Sequence, residues 1–115
     1  MTNHKMIGNI GEEIACNYLQ KQGCTILQQN VYSRFGEIDI IAEKENILLF
    51  IEVKYRKNEY FALAAESITP QKQKKMRLTI ETYLQKHPTN KALRIDLVTV
   101  VGNSPYKIEW IKNIF

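Results

Sequence analysis

Long apolar runs are absent from this 115-residue chain. The longest, Ile47 to Ile51, is the length of a strand and far short of the ~20 residues that cross a bilayer as a helix. Cysteine is nearly absent too. Cys16 and Cys24 have no histidine nearby to complete a zinc pattern, and two cysteines in or just after one helix are poorly placed for a disulfide, so both read as ordinary thiols. Repeats, linkers and low-complexity tracts are missing. The first residues, Met1 to Gly8, lack the apolar core and small-residue cleavage site of an export signal. These absences lead us to expect one cytoplasmic domain over residues 1–115, with no membrane partner. His4 and His87, the two histidines, sit beside the terminus and a helix end and are expected in solvent.

The composition is that of a soluble globular chain with room for one core. A net charge of +4 and a pI near 9.1 favour polyanionic partners, but too modestly to support a DNA-binding claim alone.

Periodicity supplies the order of elements. Residues 7–22 fit an amphipathic helix with Ile7, Ile10, Gly11, Ile14, Ala15 and Tyr18 on one side, and Gly23 stands where a C-terminal cap belongs. Cys24 to Gln28 reads as a short strand, and Gly36 to Ala42 with Ile47 to Arg56 reads as a hairpin closed by residues 43–46. A less regular stretch follows from Lys57 to Ile68. Thr69 and Pro70 open a second helix as N-cap and first-turn proline, and His87 and Pro88 end it. Arg94 to Val101 forms a strand, residues 102–105 a turn, and Tyr106, Ile108 and Trp110 alternate along a last edge strand. The order α-β-β-β-α-β-β predicts an α/β fold, a mixed five-stranded sheet flanked by helices.

Inside the hairpin, Asp39 and Glu52 interrupt strands that are otherwise apolar. Carboxylates there are costly to bury unless a cation neutralises them. An even-numbered loop of two or four residues puts both on one face with Glu37, Phe50 and Lys54, whereas an odd loop separates them. Taking pairings that sum to 89 sets Asp39 opposite Phe50 and Glu52 as its diagonal neighbour, close enough for both to reach one ion. Hard oxygen ligands suit Mg²⁺ or Mn²⁺, which take their remaining oxygens from water and phosphate. Lys54, on the same face, is then placed to orient a water or offset charge on a phosphorane.

The residues Asp39 and Glu52-Val53-Lys54 resemble the PD-(D/E)xK nuclease superfamily. More narrowly, Gly11-Glu12, Ala15, Gly23, Gly36-Glu37-Ile38-Asp39, Phe50 to Lys54 with Arg56, Thr69-Pro70 with Lys72, Arg94 with Asp96, and Asn113-Ile114-Phe115 resemble the YraN family over nearly the whole chain. Its members are predicted endonucleases similar to Holliday junction resolvases. The resemblance implies a restriction-endonuclease-like fold, Mg²⁺ or Mn²⁺ held at Asp39, Glu52 and the Val53 position, catalytic roles for Glu12, Asp39, Glu52 and Lys54, and branched or structured DNA as substrate. Ile38 stands where the superfamily's nominal proline would be. The apolar pattern leaves Glu12 and Glu13 almost equally placed, but Glu12 shares a stripe with Gly8, Ala15 and Leu19, so Glu12 is assigned to the site and Glu13 to solvent.

On the second helix Lys72 lies one turn before Met76 on the buried face, within reach of a phosphate or a site carboxylate, while Lys74 and Lys75 point outward. Lys72 and Lys75, with Arg34 and Arg56 near the hairpin ends, are the candidate nucleic-acid contacts. Paired cuts on a two-fold junction would call for a homodimer. Two plainer readings stand beside these. Asp39, Glu52 and Lys54 also fit a cross-strand salt bridge, and the chain also fits a nuclease-like module that binds nucleic acid or protein without cutting. Glu37 is read as a turn or surface pair, Asp96 as the partner of Arg94, and Tyr106, Trp110 and Phe115 as packing residues.

Overall fold

The computed structural model describes residues 4–57 and 68–114, with side chains of the first helix described from Ile10 onward. The stretch between Lys57 and Ile68 thus falls almost wholly outside the described residues, as do Phe115, the side chains of His4 and Ile7, and the burial of Gly8. Chain order is α1 (His4–Lys21), β1 (Thr25–Ser33), β2 (Gly36–Lys44), β3 (Ile47–Arg56), α2 (Pro70–Lys86), β4 (Ala92–Val101) and β5 (Lys107–Ile111). This is the predicted α-β-β-β-α-β-β order. The five strands lie side by side in sequence order, antiparallel except for β3 and β4. That parallel pair cannot be joined by a tight turn, and α2 lies in its crossover.

Local chemistry ends the helices where the sequence suggests. Gly23, at φ +95°, lets the Cys24 N–H bond to the Leu19 carbonyl and the Gly23 N–H to that of Gln20, each at 3.0 Å, closing α1 with a Schellman turn. Thr69 Oγ1 accepts the Lys72 N–H at 3.1 Å and starts α2 at Pro70.

The hairpin register departs from the one expected. Glu45 and Asn46, at φ +52° and +66°, make a two-residue turn, so Lys44 pairs with Ile47 and Ile41, not Asp39, faces Phe50. Both turn residues take left-handed conformations because that geometry matches the twist of the flanking strands. Pairings sum to 91 rather than 89, and β2 extends to Lys44. Both sums are odd, so the shift of register does not by itself separate Asp39 from Glu52.

Two apolar clusters sandwich the sheet. Ala15, Cys16 and Leu19 of α1 pack on Ile40, Ala42, Leu49, Ile51, Val98 and Val100, with Tyr106 and Trp110 joining at the margin. Met76, Ile80 and Tyr83 of α2 pack on Ile41, Leu48 and Phe50 from the other side, where Phe50 meets Tyr83 edge-on at 6.0 Å. Central strands covered on both faces explain the nearly continuous apolar run in β3. Ile38 corrects the alternation: expected beside Ile40, it belongs to the α2 cluster instead. The strand therefore changes its pleat between Ile38 and Ile40, at Asp39.

Candidate functional site

Three neighbouring strands each contribute one polar residue to a single row. The pairs Gln29↔Ile40 and Val31↔Ile38 bracket Asn30 and Asp39, and one step beyond Ile40↔Ile51 Asp39 comes opposite Glu52. The β2–β3 ladder stops there. Val53 N–H, aimed toward β2, is taken by Asp39 Oδ2 at 2.9 Å. In an extended strand the N–H and C=O of one residue face the same side, so the Val53 carbonyl also faces the gap. Asp39 is a direct cross-strand neighbour of Glu52 rather than a diagonal one, and the loss of regular pleat turns its carboxyl into the space between strands.

Both helices reach this point. Glu12 of α1, half-buried, lies near enough to Asp39 for the two carboxyls to influence each other, while the neighbouring Glu13 is exposed. From the opposite face Lys72 Nζ sits 2.7 Å from Glu52 Oε2, and that oxygen has no other donor among the described residues. Gly11 makes the α1 approach possible: a Cβ there would lie 3.1 Å from Tyr55 Cβ on β3.

Electrostatics mark the row as short of positive charge. Burial and the adjoining Glu52 push the Asp39 carboxyl up to about 9. Burial also pushes Glu52 upward, but its contacts with Asp39 and Lys72, aided by Lys54, leave it below the ordinary value. Glu12 is raised by burial against the opposing bonds of Asn30 and Asp39. Asp39 and Glu52 thus share a proton where two ionised groups would repel.

Two residues escaped the sequence reading. Asn30 adopts φ +53° within β1, and its amide, turned so that nitrogen faces the carboxylate, donates to both Glu12 oxygens at 3.3 and 3.1 Å. The sequence ended the first strand at Gln28, but β1 runs on to Ser33; the signal was an asparagine just past that expected end, the residue type besides glycine that best tolerates left-handed backbone. Glu37, read as a turn or surface pair, instead has Oε2 buried without a hydrogen-bond partner among the described residues. Its charge raises Tyr32 across the β1–β2 ladder and adds to the field on Glu12.

The candidate cations are spread around this centre rather than gathered in it. Lys54 is half-buried on β3, and among the described residues no carboxylate is within ion-pair distance of its amine. Arg34 is exposed in the β1–β2 turn, 4.8 Å from the Phe35 ring centre, and Lys75 is exposed on α2. Arg56 ends β3, where its Nη1 donates to the Tyr55 carbonyl at 3.2 Å. The antiparallel register puts Gly36 and Arg56 at the same end of the sheet, the end toward which the gap opens.

Among the described residues, no three Asp, Glu, His or Cys side chains converge as a ready-made metal cage. Magnesium does not require one: it binds through one or two carboxylates and keeps water and phosphate oxygens for the rest. Two buried carboxyls beside a backbone carbonyl, with oxygen donors only, fit that demand. Asp96, the other acid within a strand, is unlike them. It accepts Arg94 Nε at 2.9 Å, Arg94 Nη2 at 3.0 Å, Trp110 Nε1 at 2.8 Å and the Asn113 N–H at 2.9 Å, which saturates it as a structural anchor. The cysteines are free and buried, and burial pushes the Cys16 thiol up to about 11, far from a reactive thiolate.

The profile of the uncharacterised protein family UPF0102 matches residues 11–100. A UPF0102 protein of Neisseria gonorrhoeae is 49% identical over 113 residues, covering 97% of this chain and 96% of the relative. One from Dichelobacter nodosus is 40% identical over 120 residues, covering 99% and 95%. Another, from Vibrio parahaemolyticus, is 40% identical over 111 residues, covering 95% and 91%.

Proposed function

The chain belongs to the UPF0102 family, and from its acid row we propose that it is a Mg²⁺- or Mn²⁺-dependent endonuclease hydrolysing phosphodiester bonds in branched or structured DNA. One observation carries the reading. Asp39 and Glu52 are buried side by side, with Asp39 pushed up to about 9 and no arginine bonded to either carboxylate among the described residues. Carboxyls perturbed this far by burial and by each other, with Lys72 on only one of them, mark a functional-site candidate.

In this reading Asp39, Glu52 and the Val53 carbonyl hold the ion. Bound Mg²⁺ or Mn²⁺ supplies Lewis-acid chemistry at a phosphate. Lys54 orients the attacking water or offsets charge on the pentavalent phosphorus, and Glu12, steadied by Asn30, supports Asp39 from the α1 side. Arg34 and Arg56 at the open end of the sheet, with Lys75 on α2, hold neighbouring phosphates. Water adds to phosphorus and one bridging P–O bond breaks.

Purified protein with Mg²⁺ or Mn²⁺ should nick labelled four-way, flap or single-stranded DNA, and Asp39→Ala should abolish the cut. Binding without cutting in every metal replaces this reading with that of a nucleic-acid-binding module. Titration calorimetry tests the ligands separately: Glu52→Ala should lose Mn²⁺ binding, and unchanged binding excludes the assignment.

A further inference from the structure

Lys72 stands where local helix energetics disfavour a cation. It is the third residue of α2, in a first turn with no acidic side chain, at the positive end of the helix dipole. At that position a Thr cap is best complemented by Glu or Gln. What offsets the placement is Glu52, whose side chain is 5% exposed against 34% for that of Lys72, at 2.7 Å. The lysine therefore enters from solvent to touch a carboxylate that belongs to the interior.

The same protein shows how it holds a permanent buried acid. Asp96 is gripped by four directed donors, two of them from an arginine fork. Glu52 Oε2 has the single ammonium contact of Lys72 and no other donor among the described residues. A lysine is a compact charge on a flexible stem, and withdrawing it breaks no bidentate geometry.

We propose that Lys72 is an exchangeable counter-cation of the acid row: it occupies Glu52 in the metal-free protein and leaves that carboxylate when a divalent ion binds. The inference rests on the metal-site reading above and assigns Lys72 a role beyond phosphate contact. It makes Lys72 a positioning residue that keeps the empty site folded and competes with its ion. Once released, the amine sits at the site's edge, where a phosphate is its natural partner.

The test is Mn²⁺ titration calorimetry on the full chain at about pH 8, where metal binding competes least with protons, comparing wild type with Lys72→Met and with Glu52→Gln as the site control. Lys72→Met should bind Mn²⁺ about three- to tenfold more tightly, because a repelling charge a few ångströms away has gone. Equal or weaker binding overturns the proposal. If neither wild type nor Lys72→Met binds Mn²⁺ while both are folded, the metal-site reading fails and the proposal with it. A second measurement needs no variant. In lysine-labelled wild type the Lys72 Cε and Nζ resonances should shift on saturation with diamagnetic Mg²⁺ toward those of a solvent-exposed lysine. Resonances unmoved by bound Mg²⁺ show that Lys72 stays on Glu52 and overturn the exchange.

Discussion

At the scale of a single residue, Asp39 carries the sharpest consequence. Its carboxyl passes from an ordinary value of 3.8 to about 9 on folding, so the folded chain holds a proton that the unfolded chain releases. The stabilisation this gives is complete below the unfolded value and disappears as pH rises through the folded one. Metal-free protein should therefore lose stability between about pH 4 and pH 9 from this group, while Glu52, shifted the other way, contributes the opposite slope only at the acid end. Asp39→Asn is uncharged throughout. Urea unfolding at several pH values should give it a flatter profile and, at the alkaline end, greater stability than wild type. Parallel profiles would mean that Asp39 is ionised in the fold.

At the scale of elements, the site depends on how closely α1 lies on the sheet. Ala15 and Leu19 fix the helix against β2, β3 and β4, but Gly11 sets its distance from Tyr55 one residue before Glu12. Gly11→Ala gains about 1 kcal/mol of helix propensity and incurs overpacking of about 1–3 kcal/mol, because a backbone-anchored Cβ cannot yield as a side-chain tip does. A net loss of up to about 2 kcal/mol in urea unfolding is expected from these terms. Glu12 should move away from Asp39 and Asn30 as well, weakening Mn²⁺ binding severalfold in calorimetry. Unchanged Mn²⁺ affinity in a destabilised variant would separate the helix position from the site.

At the scale of the whole molecule the four candidate phosphate contacts stand in two places, Arg34 and Arg56 at the open end of the sheet and Lys72 and Lys75 on α2. If these four meet DNA phosphates, log affinity should fall with log salt at a slope of about −3.6, or about −0.9 per contact on duplex DNA. Replacing Arg34 or Lys75 by alanine should flatten the slope by about 0.9 each, with a uniform loss across DNA sequences. Fluorescence anisotropy over a salt series measures both. Slopes identical to wild type would move the contact surface elsewhere. No helix among the described residues is long and apolar enough to cross a membrane.

Much of this was legible in the chain. Apolar periodicity, Gly23, and Thr69 with Pro70 set out α1, α2 and the strand order, because capping and burial patterns are local or nearly so. Strand parity alone keeps Asp39 and Glu52 in step whether the loop has two residues or four, but the break of pleat that turns the Asp39 carboxyl between the strands was not legible. Register itself was not legible. Glu43 and Lys44 look like loop residues, and only the twist of the sheet recruits them to the strands and brings Asp39 directly opposite Glu52. Asn30 and Glu37 stayed hidden for a related reason: one acts through a left-handed backbone inside a strand, the other through a buried oxygen, and neither is encoded by composition or spacing. Thus the sequence by itself determined which elements form, their order and the acids they carry, because those follow from local propensity and hydrophobic period. Only the tertiary structure decided that Asn30, Asp39 and Glu52 stand in one row, with Glu12 reaching it from one face and Lys72 from the other, because a gap in a β-ladder exists only once three strands and two helices have packed.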